Sequence, residues 1–196
     1  MRLNLTFVLI ILVFISGCYS EKTKAERKYQ VKSGVITYDT QLKTISVSLS
    51  YITIVYFDNY GTMERRDTYE DGQLKESFIC DGTSLFQVSH QKKIAWKTGN
   101  AVHGTEPQFS IENLSKEDIQ SGKIKMMPNE LIAGKDCEIY QVNTGVATAL
   151  YGGWKNISML SEINSPGGTS LMKAVNIETI PVDEAKFRLP GNYILK

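Results

Sequence analysis

Residues 44–58, TISVSLSYITIVYFD, constrain the fold of this 196-residue chain more than any other segment. Apolar and serine side chains alternate along its first half, and this period of two predicts a β-strand with one buried face. From Tyr51 onward the second face also becomes apolar, through Ile52, Ile54 and Tyr56. We therefore expect this half of the strand to be covered on both faces, and these three residues are candidates to line an apolar cavity. The first apolar face consists of Ile45, Val47, Leu49, Tyr51, Val55 and Phe57.

Turn-forming Gly, Asn and Asp residues recur at short intervals along the rest of the chain, and they favour tight hairpins. Short helices are predicted after Ser115, with Gly122 as its stop, and within 181–190. Many short strands at such spacing are typical of an antiparallel meander, sandwich or barrel. The other candidate strands are 29–39, 63–69, 73–80, 84–89, 92–97, 123–132, 136–142, 146–154, 157–163 and 171–179.

The N-terminal segment has the layout of a secretory leader. Arg2 precedes an apolar run, LTFVLIILVFI, of eleven residues, whereas a membrane-spanning helix needs about 20. The run ends in Ile-Ser-Gly-Cys at residues 15–18, which resembles the lipobox of bacterial lipoproteins. This resemblance implies that the leader, residues 1–17, is removed and that Cys18 carries acyl chains. An ordinary leader with an incidental cysteine is the alternative interpretation.

Composition limits the partners of the mature chain. The polar residues 18–28 form a predicted tether, and residues 29–196 are long enough for one well-buried domain. Removal of Arg2 with the leader leaves 21 basic residues against 21 acidic ones, so no net charge attracts nucleic acid. Cys80 and Cys137 could form a disulfide in an extracytoplasmic compartment, or remain two separate thiols.

Residues that could carry out catalysis are few. The two histidines, His90 and His103, belong to no metal-binding or nucleophile motif, and Ser89 should point away from His90 on a strand. Trp96 and Trp154 are predicted either to pack in the core or to line an apolar ligand site. We expect no enzyme activity, no metal and no cofactor, although a carboxylate pair in a cleft would favour a hydrolase.

Several segments together resemble a bacterial lipoprotein domain of unknown function, similar in turn to the LolA/LolB-like carrier and receptor of lipoproteins. They include YFDNYGTMERRD, IAGKDCEIYQV, YGGWKNISMLSEI and PVDEAKFRLPGNYIL, and the likeness covers roughly residues 29–196. The resemblance implies a mainly β fold, in which an antiparallel sheet of about eleven strands curls into an incomplete half barrel. One or two short helices would lie on its concave side, over an apolar cavity.

The resulting hypothesis is a monomeric lipoprotein, anchored to a membrane of the bacterial cell envelope, that binds a lipid or an acyl chain of a lipoprotein. The resemblance to bacterial lipoproteins, in which an aspartate after the lipidated cysteine retains the protein at the inner membrane, implies an outer-membrane anchor here, because Tyr19 follows Cys18. The alternative is a structural or adhesive lipoprotein whose sheet surface binds protein or glycan. Besides the three residues of the first strand, we expect Trp96, Met126 and Trp154 to line the cavity.

Overall fold

One sheet contains all twelve strands that the computed structural model describes, in residues 27–100 and 116–196. Its order from edge to edge is β12-β6-β5-β4-β3-β2-β1-β11-β10-β9-β8-β7. All neighbours are antiparallel except β12 and β6. The strands are β1 Gly34–Thr44, β2 Ser48–Asp58, β3 Met63–Glu70, β4 Gln73–Cys80, β5 Ser84–Ser89, β6 Ile94–Asn100, β7 Ile124–Ile132, β8 Lys135–Asn143, β9 Thr148–Trp154, β10 Ile157–Ser165, β11 Gly168–Glu178 and β12 Ile194–Leu195.

The sheet consists of two meanders that meet at its centre. Strands β1 to β6 follow one another by hairpins, as do strands β7 to β11. The meanders are joined by the pairing of β1 with β11, which places Ile36 opposite Ile177 and Thr44 opposite Gly168. The edges β12 and β7 do not pair with each other, so the described strands form an open sheet and not a closed barrel.

The predicted fold class is confirmed, because the described chain is mainly β with few helices. The helix α1, Lys116–Gln120, precedes Gly122, whose φ of +77° suits a helix stop. A 3-10 turn at Glu184–Phe187 begins where the Ala185 amide donates to Asp183 Oδ1 at 2.9 Å. A second 3-10 turn spans Asn59–Gly61. The sheet has one strand more than expected, because β12 pairs with β6 in parallel.

Two apolar clusters stabilise the sheet. In the smaller one, Ile79, Val88 and Ala95 are covered by Leu189 and Tyr193 from the C-terminal segment. The larger one brings together residues from both meanders. Its buried members are Tyr29, Ile36, Tyr38, Val55, Phe57, Ile132, Cys137, Ile139, Ile157, Met159, Leu160, Ala174 and Ile177.

Candidate functional site

An apolar stripe runs along one face of β1 and β2. It consists of Ile36, Leu42, Leu49, Val55 and Phe57, and register places Ile36 opposite Val55 and Leu42 opposite Leu49. Directly opposed residues of an antiparallel pair share a face, so the five side chains lie on one face, with the pairs Tyr38–Thr53 and Thr40–Tyr51 between the two ends of the stripe. Leu49, Val55 and Phe57 belong to the first apolar face predicted from the sequence, whereas Ile45 and Val47 of that predicted face lie in the turn between β1 and β2.

The stripe is buried at one end and open at the other. Ile36, Val55 and Phe57 are at most 1% exposed, whereas Leu49 is 48% exposed. Ile163 extends the open end, because Ser170 of β11 pairs with both Ile163 and Leu42. The described residues therefore cover the half of the stripe near Gly34 and leave apolar surface uncovered toward Thr44.

The covered end lies under the segment that leads into β1. The ring of Tyr29 packs edge-on against Phe57, with centroids 4.8 Å apart. It also lies against Gly61, where a Cβ would come within 2.7 Å of Tyr29 Cδ2, and Gly61 has a φ of +85°. Glycine is thus required at this contact both for space and for conformation.

A buried ion pair fastens the same segment to β3. Lys28 Nζ donates to Glu64 Oε2 at 2.5 Å, and the Tyr29 hydroxyl donates to the same oxygen at 3.0 Å. Burial lowers the pKa of Lys28, an effect that Glu64 opposes, and burial together with Glu64 raises the pKa of Tyr29. Arg66 of β3 pairs with Val55 on the same face, so charged groups flank the covered end of the stripe.

The open end contains a hollow of about 280 Å³, lined by Leu42, Ile163 and the backbone around Gly168. Its volume lies near the lower limit of about 300–1,000 Å³ for small-molecule pockets. A second hollow of about 220 Å³ lies at the same end and is lined by the polar Gln41 and Glu162. Successive strand residues point to opposite faces, so the polar hollow belongs to the other face of the sheet.

The residues predicted to line a cavity lie at four places. Ile52, Ile54 and Tyr56 share the face of β2 opposite the stripe, and Tyr56 is covered there by Lys186, whose Nζ lies 4.5 Å from its ring centroid. Ile52 is 39% exposed and Ile54 and Tyr56 are partly buried, so this second face is covered only in part, and more so toward the end of the strand. The positions of the remaining three follow from their strands: Trp96 lies in β6, Met126 in β7 and Trp154 in β9.

Their surroundings differ as much as their positions. Trp96 pairs with Gln87 and is half-buried, whereas Met126 is 64% exposed on the edge strand. Trp154 packs against the larger apolar cluster, and the Nζ atoms of Lys135 and Lys155 each lie 4.9 Å from its ring centroid. The structure thus brings together only the β2 residues of this set, and a shared lining role stays a prediction.

No disulfide links Cys80 and Cys137, and both thiols are buried. Cys80 lies in β4 and Cys137 in β8, on different meanders of the sheet, so the alternative of two separate thiols describes them. Burial raises the pKa of Cys137, which disfavours the reactive thiolate. Cys18, the predicted lipidation site, and His103 lie outside the described residues.

A serine and a histidine that the sequence did not pair lie in contact beneath the C-terminal segment. His90 Nε2 is 2.7 Å from Ser77 Oγ, and His90 Nδ1 is 2.8 Å from the Tyr193 hydroxyl. The Ser77 hydroxyl also donates to Asp67, which accepts from Arg65 Nε at 2.7 Å. Within this network, Asp67 and Ser77 are brought together because they are directly paired on β3 and β4.

This geometry stabilises the C-terminal segment and does not resemble a working nucleophile site. Ser77 is fully buried, and the carboxylate of Asp67 binds the serine rather than orienting the histidine. Burial lowers the pKa of His90, assisted by Arg65 and opposed by Asp67. Within residues 27–100 and 116–196, no group of three or more His, Cys, Asp or Glu side chains could hold a metal ion. None of the described helices has the length and apolar character needed to cross a membrane.

Comparison with known proteins yields similarity to solved structures alone. No protein-family model matches the chain, and neither does any curated protein. An uncharacterized conserved protein from Thermus thermophilus is similar at a TM-score of 0.57 and 8% identity, over 87% of this chain and 93% of that one. This likeness shows a shared fold.

Two further solved structures are similar at lower TM-scores. A LolA superfamily protein from Nitrosomonas europaea has a TM-score of 0.40 and 9% identity, over 83% of this chain and 93% of that one. A DUF1329 family protein from Desulfovibrio piger has a TM-score of 0.40 and 11% identity, over 82% and 91% of the two chains.

Proposed function

We propose that this protein is a lipid-anchored lipoprotein of the bacterial cell envelope that binds a lipid or acyl chain, without catalysis, at the open end of the apolar stripe. The observation that supports it is the course of the stripe, which passes from fully buried Val55 and Phe57 to the half-exposed Leu49. An acyl chain lying beside Leu42, Leu49 and Ile163 would continue the apolar core outward.

The expected affinity follows from the uncovered surface. Complete burial of an aliphatic side chain is worth about 1.5–3 kcal/mol. Leu49 is 48% exposed and Ile163 is 37% exposed, so covering each by a ligand would contribute about 0.5–1.5 kcal/mol. Lys43, Thr44, Ser165 and Thr169 also line the hollow beside these side chains. The affinity for an acyl chain would come mainly from contact with the aliphatic side chains, and discrimination between acyl chains would be weak.

A fluorescent fatty acid, cis-parinarate, measures this binding on the purified mature protein. Leu49→Ser should weaken the affinity by about three- to tenfold, which corresponds to the loss of about 1 kcal/mol of contact. The matched control is Leu131→Ser on β7, because Leu131 is 76% exposed and lies away from the stripe. Equal affinities of the two variants, or no binding by the parent protein, would refute the stripe as the ligand site.

The anchor has an experiment of its own. We expect the mature N-terminus to be an acylated Cys18, and mass spectrometry of the N-terminal fragment measures the added acyl mass. Cys18→Ser should retain residues 1–17, because cleavage of this type of leader follows acylation of the cysteine. An intact mass that includes the leader in the parent protein would contradict the anchor, and the outer-membrane location with it.

The edge strand β7 supports a second candidate function, that of an adhesive protein whose sheet edge binds protein or glycan. Met126 and Leu131 are 64% and 76% exposed there, and only β8 pairs with this strand among the described residues. Pro128 interrupts the free edge, which limits strand addition. Photo-crosslinking from residue 129 in cells tests it, and loss of the crosslink in Leu131→Lys but not in Leu49→Ser is the expected result.

A further inference from the structure

Two rows of side chains cross six neighbouring strands on the face of the sheet opposite the apolar stripe. The strands pair in the order β8, β9, β10, β11, β1 and β2. Directly paired residues share a face, as do residues two apart on one strand, so register defines both rows. The first row consists of Gln141, Leu150, Glu162, Leu171, Gln41 and Ser50. The second consists of Asn143, Thr148, Asn164, Thr169, Lys43 and Ser48, and the two rows together are named the polar face.

The polar face is open to solvent and carries no net charge. All of its twelve residues are exposed or partly exposed. Eight of them have an amide or a hydroxyl group, two are leucine, and the charges of Lys43 and Glu162 are opposite. Attraction of a charged partner needs an excess of the opposite charge, which these two rows lack. Their chemistry favours a neutral ligand with many hydrogen-bonding groups.

The polar hollow of about 220 Å³ lies in the middle of the polar face. Leu171, which packs against the larger apolar cluster, forms its apolar part. At the hollow, Asn164 Nδ2 donates to Glu162 Oε1 at 2.9 Å, and in the second row the Thr148 hydroxyl donates to Asn143 Oδ1 at 3.0 Å. These bonds orient the side chains before a ligand arrives, which lowers the entropy that binding costs. The residues of the polar face that line the hollow are Gln41, Lys43, Glu162, Asn164, Thr169 and Leu171.

Sugar hydroxyls match the hydrogen-bonding capacity of these side chains. A hydroxyl group both donates and accepts, and an Asn or Gln side chain has two N–H donors beside its carbonyl acceptor. Among the contacts of the described residues, the bond to Glu162 uses one N–H of Asn164, so a second N–H and the carbonyl oxygen remain for a ligand. Leu150 and Leu171 alternate with polar side chains in the first row, where they can contact the C–H groups of a sugar ring.

The dimensions of the polar face suit a linear chain. Five strand spacings of about 4.8 Å give a length of roughly 24 Å, and two residue steps of about 3.4 Å separate the rows by roughly 7 Å. Even twice the enclosed area is well below the area of about 800 Å² that each partner of a typical protein interface buries. A folded protein would therefore need contacts outside these rows, whereas a glycan chain would not.

We infer that the polar face binds a neutral glycan chain, which lies along the two rows across the strands and places one sugar ring in the polar hollow. Amide and hydroxyl side chains bind the sugar hydroxyls, and the leucines contact the apolar edges of the rings. The site is separate from the apolar stripe, which lies on the other face of the sheet, and from the edge strand β7. It would add glycan binding to the proposed binding of an acyl chain.

Titration calorimetry of the purified protein with cellohexaose, maltohexaose, mannohexaose and chitohexaose tests the inference. At least one of these neutral oligosaccharides should bind, and its affinity should change by less than about twofold between about 0.05 and 0.5 M NaCl, because no net charge is screened. Polygalacturonate, an anionic glycan, should bind more weakly. Binding of none of the four, or binding of polygalacturonate alone, would overturn the inference.

A matched pair of double variants tests the place of binding. Asn164→Ala with Thr169→Ala should lower the affinity for the bound oligosaccharide by about tenfold or more, because two hydrogen-bonding side chains at the hollow are lost. Asn176→Ala with Thr98→Ala removes the same two residue types at exposed positions of β11 and β6 outside the rows, and should keep the parent affinity. Equal affinities of the two double variants would refute the polar face as the site.

The outcomes also separate this inference from the proposed acyl-chain site. Asn164→Ala with Thr169→Ala should keep the parent affinity for cis-parinarate, and Leu49→Ser should keep the parent affinity for the oligosaccharide. A protein that binds cis-parinarate and none of the oligosaccharides refutes the glycan site alone. A protein that binds an oligosaccharide and no cis-parinarate refutes the acyl-chain site and supports the polar face.

Discussion

Replacement of Glu64 by glutamine tests how the segment before β1 is fastened to the sheet. Glu64 Oε2 accepts hydrogen bonds from Lys28 Nζ and from the Tyr29 hydroxyl, and the Lys28 and Glu64 side chains are 1% and 0% exposed. Glutamine preserves the volume and removes the negative charge. The Lys28 ammonium would then be buried without its carboxylate partner.

The protein can respond to Glu64→Gln in two ways, and the one that costs less sets the loss in the free energy of unfolding. Keeping Lys28 in place costs about 3–5 kcal/mol, the usual penalty for breaking a buried ion pair. Releasing the segment exposes Tyr29, at a cost of about 1.5–3 kcal/mol. Release also breaks the bonds from the Tyr29 amide to Tyr60 O and from the Gln30 amide to Lys155 O, at about 0.5–1.5 kcal/mol each. We therefore expect a loss of about 3 kcal/mol in the free energy of unfolding and partial release of the segment.

Urea unfolding measures the loss in the free energy of unfolding, and amide hydrogen exchange measures the release of the segment. The Tyr29 and Gln30 amides should exchange faster in Glu64→Gln, while the core of β10 keeps its protection. Glu138→Gln, an exposed position on β8, is the matched control and should change stability by less than about 0.5 kcal/mol. A loss below about 1 kcal/mol for Glu64→Gln, with unchanged exchange at both amides, would refute the fastening role.

Three further predictions concern the rest of the fold. Folding lowers the pKa of His90 from 6.5, so below pH 6.5 the unfolded chain binds more protons than the folded one. The free energy of unfolding should therefore fall as the pH is lowered from 6.5 through the pKa of the folded state. Urea unfolding of His90→Gln at several pH values should show a shallower fall. Gly152→Ala would place a Cβ 2.8 Å from Ile139 Cδ1 and 3.0 Å from Leu160 Cβ, and should cost about 1–3 kcal/mol by calorimetry. Adding Ile139→Val should recover part of this cost by relieving the first contact, and no recovery would contradict the clash with Ile139. Cys80 and Cys137 should resist maleimide in the native protein and both react in urea, as counted by mass, so fast native labelling would contradict their burial.

The local structure was predictable because its signals are local. Alternation along residues 44–58 predicted β2, and the turn-forming glycines predicted nearly all the hairpins. The one-turn helix at Glu184–Phe187 followed from its own short sequence. Each of these features depends on neighbours within a few residues, where backbone preferences act directly.

Contacts between distant segments were not predictable. His90 meets Ser77 across a strand pair and Tyr193 across 103 positions, and nothing in the intervening sequence marks either contact. Lys28 was predicted to belong to a polar tether, yet its ion pair with Glu64 lies in the core. Met126 and Ile52 were predicted to line a cavity; both are more than a third exposed, and that role stays a prediction.

The order of residues by itself determined that this chain forms many short antiparallel strands, because alternation and turn chemistry act on neighbours. It also determined that Leu49, Tyr51, Val55 and Phe57 share a face of β2, since that requires only the period of a strand. The tertiary structure alone decided which half of that face is buried. Coverage depends on the segment around Tyr29 and on β11, which lie far away along the chain, and close packing in space follows no rule of sequence distance.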